Sequence, residues 1–408
     1  MQTNLTSGFR DSDLGQEAEA ILRKCVHCGF CLATCPSYQI LGDERDSPRG
    51  RIYLIKQMLE GGKATARTQR HLDQCLTCRN CETTCPSGVD YGNLIDIGRE
   101  IVSQEVRRPF WQRRQRAVLA YGLNSVFFKL AVNAGQLVRP WLPSVVQGKL
   151  PKVRPAGRVP VTHYARKVIL PGGCVQPTLM PSIDGATIRV LAAIGITALE
   201  SSQKQCCGAV NFHLDQQEAA LVQMRRNIDA WLPRIQSKEV EAIVVNASGC
   251  GAMIKEYAHH LRHDPAYRDK AQIVVDHVKD IAELVMPQAG FLKLKLKRPL
   301  DQRVAFHPPC TLQHWQKLRS DTESMLEALG FELTQFGESQ MCCGAAGTYS
   351  VLNPQIAMPL RDRKLTSIQA TEPEMIITSN MGCMMHLQSG TQTPVRHWVE
   401  ALDQALFA

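Results

Sequence analysis

The chain has 408 residues, 44% of them hydrophobic, and a formal net charge of +9. That is enough for two or three domains whose cores need no disulfide support. Its sixteen cysteines point to metal or redox chemistry rather than to the disulfide framework of a small secreted domain. The first 25 residues lack the apolar core and small-residue cleavage site of a secretory signal, so a cytosolic start is expected.

In chain order, the first feature is a duplication. CVHCGFCLATCP from Cys25 to Pro36 recurs as CLTCRNCETTCP from Cys75 to Pro86. Between the copies Ser47 can cap a helix that has Pro48 at its first position, with Ile52, Ile55 and Leu59 on one face. Two cysteine loops joined mainly by helix predict a compact α-helical ferredoxin-like domain over residues 15–105.

The spacing C-x2-C-x2-C-x3-C-P lets three thiolates of one loop hold one cubane, while the fourth cysteine, turned away by proline, ligates the other cluster. The expected ligand sets are therefore Cys25, Cys28, Cys31 and Cys85 for one 4Fe-4S cluster and Cys75, Cys78, Cys81 and Cys35 for the second. Soft thiolates suit iron in a tetrahedral sulfur site. Structural zinc is the alternative, but zinc modules separate two cysteine pairs by a longer insert. With four thiolates at each site, His27 reads as a packing or hydrogen-bonding residue.

Residues 106–162 form a connector, helical in its first half and broken by Pro and Gly in its second. No Asp or Glu occurs between Val106 and Ile183, whereas Arg107, Arg108, Arg113, Arg114, Arg116, Lys129, Arg139, Lys149, Lys152, Arg154, Arg158, Arg166 and Lys167 do. The most apolar stretch, Val118 to Val138, is interrupted by Asn124, Lys129, Asn133 and Gln136. It reads as a surface or partner-facing helix rather than a span of roughly 18 apolar residues. A solvated linker and an element that docks on an anionic membrane or a partner subunit are both open.

The second duplication fills the remainder. RKVILPGGC at Arg166 corresponds to QRVAFHPPC at Gln302, QCCGA at Gln205 to MCCGA at Met341, and AIVVNASGC at Ala242 to MIITSNMGC at Met375. Buried strands are expected at Lys167–Leu170, Ala242–Val245, Val304–Phe306 and Met375–Thr378, and helices over 215–232 and 353–368. Alternating strands and helices predict two pseudo-symmetric α/β lobes, residues 163–290 and 300–405, with the cysteines at strand ends. The lobes hold Cys174, Cys206, Cys207, Cys250, Cys310, Cys342, Cys343 and Cys383. A further iron-sulfur centre, a zinc site, a thiol redox pair and simple structural thiols are all open readings.

The CCG repeats after a ferredoxin-like domain resemble the cysteine-rich domain shared by heterodisulfide reductases, anaerobic glycerol-3-phosphate dehydrogenase and glycolate oxidase iron-sulfur subunits. LGDERDSPRGRIYLIKQMLEGG, HLDQCLTCRNCETTCPSGVDYGNL, ASGCGAMIKEY, PCTLQHWQKL, CCGAAGTYS and PVRHW are most similar to the last of these. One departure stands out. Where heterodisulfide reductases close each CCG motif with C-x-x-C, this chain has Met253 and His386, which weakens a cluster of that kind and leaves His386 open as a ligand.

The resemblance implies an electron-transfer subunit of a glycolate dehydrogenase, working beside flavin-binding partner subunits and delivering electrons toward a membrane quinone. Related lactate or glycerol-3-phosphate systems and a thiol reductase are the alternatives. No catalytic residue is expected on the chain itself. No G-x-G-x-x-G or phosphate loop follows a strand, so no flavin is expected here, and no recognition module suggests nucleic acid. The expected location is cytoplasmic, peripheral to the membrane.

Overall fold

A computed structural model describes residues 1–125, 127–141, 153–200 and 206–407. The expectations for Lys149, Lys152 and Gln205 lie outside these. The chain forms two compact units, one of Met1–Arg116 with Glu338–Lys364, the other of Ala117–Gly337 with Leu365–Ala408.

The first unit is helical. Its core is built where Asp13–Lys24, Pro48–Leu59, Ala66–Asp73 and Tyr91–Glu105 bury Leu22, Ile55, Leu59, Leu72 and Leu94. Each helix starts where a side-chain oxygen takes an orphan backbone N–H. Ser12 accepts from Gly15, Ser47 from Gly50 at 3.0 Å with Pro48 in the first turn, and Asp90 from Asn93. Ile52, Ile55 and Leu59 all face inward, as their spacing predicts.

The second unit contains two four-stranded parallel sheets. β1 (Arg166–Leu170), β2 (Ile196–Glu200), β3 (Ala242–Val245) and β4 (Val278–Asp280) run in the order β2-β1-β3-β4. β5 (Arg303–His307), β6 (Glu332–Leu333), β7 (Met375–Thr378) and β8 (Val395–His397) repeat it as β6-β5-β7-β8. Parallel pairing needs crossover connections, supplied by helices such as Pro181–Ala193, Gln217–Gln236 and Arg319–Leu329. The internal duplication thus has a topological counterpart, and the fold is a helical domain followed by two α/β repeats.

In such sheets ligands gather beyond the carboxyl ends of the strands, where the order reverses. Here that point lies between β1 and β3, and again between β5 and β7. The turns beyond these ends meet. Ser248, after β3, donates its N–H to Ser379 O at 3.1 Å after β7, and its hydroxyl lies 2.8 Å from that of Thr311, which opens the π-helical turn after β5.

The connector is helical at Phe110–Asn124 and Phe128–Val138. Among the described residues no single helix is long and apolar enough to cross a membrane, although the pair Phe110–Asn124 and Phe128–Trp141, bent by 95°, passes by length and composition. Its aromatic side chains are strongly exposed, Trp111 at 79% and Trp141 at 81%.

Candidate metal centres

The duplicated loops share one backbone device. His27 and Thr77 have φ of 55° and 49°, and two residues later Gly29 and Arg79 have 85° and 58°. Left-handed residues at matching positions curl each loop upon itself, at a steric cost that non-glycine residues pay. The short helices Phe30–Ala33 and Asn80–Thr84 follow and carry Cys31 and Cys81. Cys35 then caps the helix Pro36–Leu41, where Pro36 forces the chain away from its own loop. His27 contributes its backbone, its carbonyl accepting from Arg49 Nη1 at 3.4 Å. Burial and the Arg49 charge hold its imidazole below the ordinary range.

One cavity is lined by Cys25, Cys28, Cys31 and, from the other loop, Cys85, together with Cys81 and Tyr91. The thiol of Cys81 is pushed well up, first by burial and then by Cys78, Cys35 and Cys75 around it. Cys85 of the second loop thus lies with Cys25, Cys28 and Cys31 around this cavity, and Cys35 of the first loop lies near Cys75, Cys78 and Cys81. Burial also pushes the Cys31 thiol up to about 11 and that of Cys78 well above its ordinary value. Without a cation these sulfurs keep their protons. A soft metal that takes thiolates displaces them, so the donor chemistry fits iron-sulfur ligation.

The surroundings suit thiolates too. Cys75 Sγ accepts from Thr77 N–H at 3.4 Å and from the Tyr91 hydroxyl at 3.6 Å, and Cys35 Sγ lies 3.4 Å from Ser37 Oγ. Sequence reading did not single out Ser37 or Tyr91. It also missed Arg51, fully buried beside them; the one available signal was two arginines flanking Gly50 in the first turn of the connecting helix.

In the second unit Cys174 follows β1, Cys206 and Cys207 precede the left-handed Gly208, and Cys250 lies in the helix Ser248–Lys255 after β3. The four thiols form a chain of contacts. Hydrogen bonds from Cys174 and Cys207 draw Cys206 down to about 4, aided by the N–H of Gly208 at 3.5 Å. Hydrogen bonding to Cys206, and then burial, push Cys174 up, and Cys207 is raised by its bonds to Cys206 and Cys250. Two buried side chains fix this loop: Asn227 donates to Cys206 O and to the Tyr257 hydroxyl, and Tyr257 donates to Cys207 O, each at 2.9 Å.

Of the second repeat's cysteines, Cys310 precedes the π-helical turn and Cys383 lies in the helix Met381–Gln388, accepting from Asn380 Nδ2 at 3.5 Å. Cys342 and Cys343 belong to the 338–364 segment of the first unit, where Cys342 adds to the upward push on Cys78. Met253 is buried within its helix and His386 half-buried within its own.

Residues 21–89 match the 4Fe-4S dicluster domain family, and residues 170–255 and 304–388 each match the cysteine-rich domain family. A dicluster domain implies two 4Fe-4S clusters. The chain is 26% identical, over 52% of its length and 87% of the relative's, to lactate utilization protein A of Bacillus licheniformis. It is 30% identical to the probable glycolate oxidase iron-sulfur subunit of Bacillus subtilis (strain 168), over 92% of this chain and 90% of that one. With the glycolate oxidase iron-sulfur subunit of Escherichia coli (strain K12) it shares 50% identity over 100% of this chain and 99% of the other. Identity at that level along both whole chains means that this protein belongs to the family of glycolate oxidase iron-sulfur subunits.

Proposed function

We propose that the chain is the electron-transfer subunit of a glycolate dehydrogenase. It takes electrons from a flavin in partner subunits, where glycolate becomes glyoxylate, and passes them toward a membrane quinone. The observation that carries this reading is the match of residues 21–89 to the 4Fe-4S dicluster domain family, with Cys85 lining one cavity beside Cys25, Cys28 and Cys31. The ligand sets in this reading are Cys25, Cys28, Cys31 with Cys85 and Cys75, Cys78, Cys81 with Cys35. When bound there, 4Fe-4S clusters supply one-electron redox chemistry. The protein's own part is to hold thiolates at fixed places, to donate hydrogen bonds to them from Tyr91 and Thr77, and to exclude water from the second set. The contact chain Cys174–Cys206–Cys207–Cys250 of the second unit forms a further metal centre in this reading.

The basic connector, with Trp111, Tyr121, Phe127 and Trp141 exposed among its arginines, supports peripheral attachment to an anionic cytoplasmic membrane face. Flotation with anionic liposomes that persists unchanged after neutralising Arg107, Arg113 and Arg114 counts against it. The function is tested by co-purifying the complex and assaying it with glycolate, lactate and glycerol 3-phosphate. Glycolate-dependent reduction of a quinone analogue, lost when Cys28 and Cys78 become serine, is the expected result. Preference for lactate or glycerol 3-phosphate moves the chain to a related dehydrogenase.

A further inference from the structure

The two cysteine loops are near copies, but their surroundings differ. In the first set Cys28 is exposed and Cys31 and Cys85 are half-buried. In the second, Cys35, Cys75, Cys78 and Cys81 are all buried. The cause is the 338–364 segment, which belongs to the same unit. Asn80 Nδ2 donates to Gln340 O at 3.3 Å, and the Tyr349 hydroxyl to Gln74 O at 2.9 Å, so the second loop is covered where the first is open.

Covering a thiolate-ligated centre has an electrostatic consequence. Each added electron makes an already anionic site more negative, and away from water that charge is costly to hold. An internal cation is the remedy the chain provides. Arg51 is 0% exposed. Its Nε donates to His71 O at 2.7 Å, Nη1 to Ser37 Oγ at 3.0 Å, and Nη2 faces Asp46 Oδ1 at 3.4 Å. Ser37 Oγ in turn lies 3.4 Å from Cys35 Sγ. His71 Nδ1 also meets Asp46 Oδ1, at 2.9 Å, so one carboxylate is shared between two partners. Burial opposes the guanidinium charge, but Tyr91, Cys75, Cys35 and Asp46 outweigh it, so the charge is kept.

Arg49, two residues earlier, points to the first loop and makes the contrast. It binds Glu44 at 2.6 Å and its side chain is 28% exposed, so a neighbouring carboxylate and water screen it. One helix start thus sends a partly water-exposed arginine to the open loop and a fully buried one, with Asp46 beside it, to the closed loop.

We propose that Arg51 sets the reduction potential of the centre held by Cys35, Cys75, Cys78 and Cys81, as the buried counter-charge that keeps this covered site reducible. The proposal rests on the ligand pairing given above. Arg51 acts through Ser37 and through its field on Cys35 and Cys75, which makes it a positioning and potential-setting residue. Net charge and hydrogen bonding at the sulfurs are levers that tune such centres.

The test is an anaerobic redox titration of the full chain followed by electron paramagnetic resonance, with iron measured on each sample. The two signals are assigned beforehand with Cys28→Ser and Cys78→Ser. Arg51→Met is expected to make reduction of the second-set centre about tenfold less favourable, a fall of about 59 mV for a one-electron couple, with the first centre unmoved. Arg51→Lys is expected to restore most of the shift, and Arg49→Met to leave both midpoints near those of the parent. Asp46→Asn keeps the hydrogen-bonding shape and is expected to raise the second midpoint. This variant keeps the proposal testable if Arg51→Met loses iron. Unchanged second midpoints in Arg51→Met and Asp46→Asn at full iron content overturn the role of Arg51 while leaving the pairing intact. A parent chain without two reducible clusters overturns the pairing itself.

Discussion

Gly50 separates the arginine that serves the first loop from the one that serves the second, and it has no room for a side chain. A methyl group at this position falls 2.0 Å from Glu44 O and 2.8 Å from Arg45 Cα. Both are backbone atoms, so no side-chain rotation relieves the overlap. Ordinary heavy-atom contact is about 3.5 Å, and the turn before Ser47 must therefore separate from the helix start by about 1.5 Å. That movement breaks the Ser47 cap on Gly50 N–H, worth about 1 kcal/mol, and adds overpacking strain of about 1–3 kcal/mol. Gly50→Ala should thus cost about 2–4 kcal/mol. With a urea dependence of about 2 kcal/mol per molar, the urea concentration that bleaches half the visible cluster absorption should fall by about 1–2 M. Gly8→Ala, with nothing within 4 Å of the new methyl, is the control and should leave it unchanged. Equal midpoints for Gly50→Ala and the parent would refute the claim that this close approach organises both loops.

Three further outcomes follow from the geometry of the second unit and its titrating groups. Tyr257→Phe strands the Asn227 amide and the Cys207 carbonyl inside the protein, which should cost about 1–3 kcal/mol and speed the alkylation of the CCG thiols by iodoacetamide. Burial raises Asp280 from an ordinary value of 3.8 to about 7, so the stability tied to its neutral form is full below pH 4 and is lost as pH rises through 7. Asp280→Asn keeps the helix cap and should raise the melting temperature at pH 8 while matching the parent at pH 4; a gain at acid pH alone contradicts this. His397 runs the other way: burial lowers it from 6.5 to about 4, so its contribution is full above 6.5 and disappears as pH falls through 4. His397→Gln should therefore narrow the acid-side loss of stability in a pH series of melting curves.

The strands legible in the sequence are the interior ones. β1, β3, β5 and β7 lie between two neighbours, and their continuous β-branched runs reflect burial on both faces. The strands not foreseen, β2, β4, β6 and β8, are all edges, and three of them have only two or three residues. Fragments such as Val278–Asp280 carry no periodicity to read. Cysteine spacing is local, so the approach of Cys85 to Cys25, Cys28 and Cys31 could be expected from the chain alone. The unequal burial of the two loops could not, because it depends on the 338–364 segment, whose contacts with the second loop join residues more than 250 positions apart. Arg51 was hidden for a related reason: an arginine within an amphipathic helix reads as a solvent-facing charge, and only tertiary partners as distant as His71 reveal it as buried.

The central claim is the exchange of Cys35 and Cys85 between the loops. It is tested most directly by iron analysis and electron paramagnetic resonance of Cys35→Ser and Cys85→Ser beside Cys28→Ser and Cys78→Ser, all purified anaerobically. The crossed arrangement predicts that Cys85→Ser perturbs the same signal as Cys28→Ser and that Cys35→Ser perturbs the same signal as Cys78→Ser. If each variant instead shares its signal with the cysteines of its own loop, or if the parent chain carries zinc with little iron, the account is contradicted.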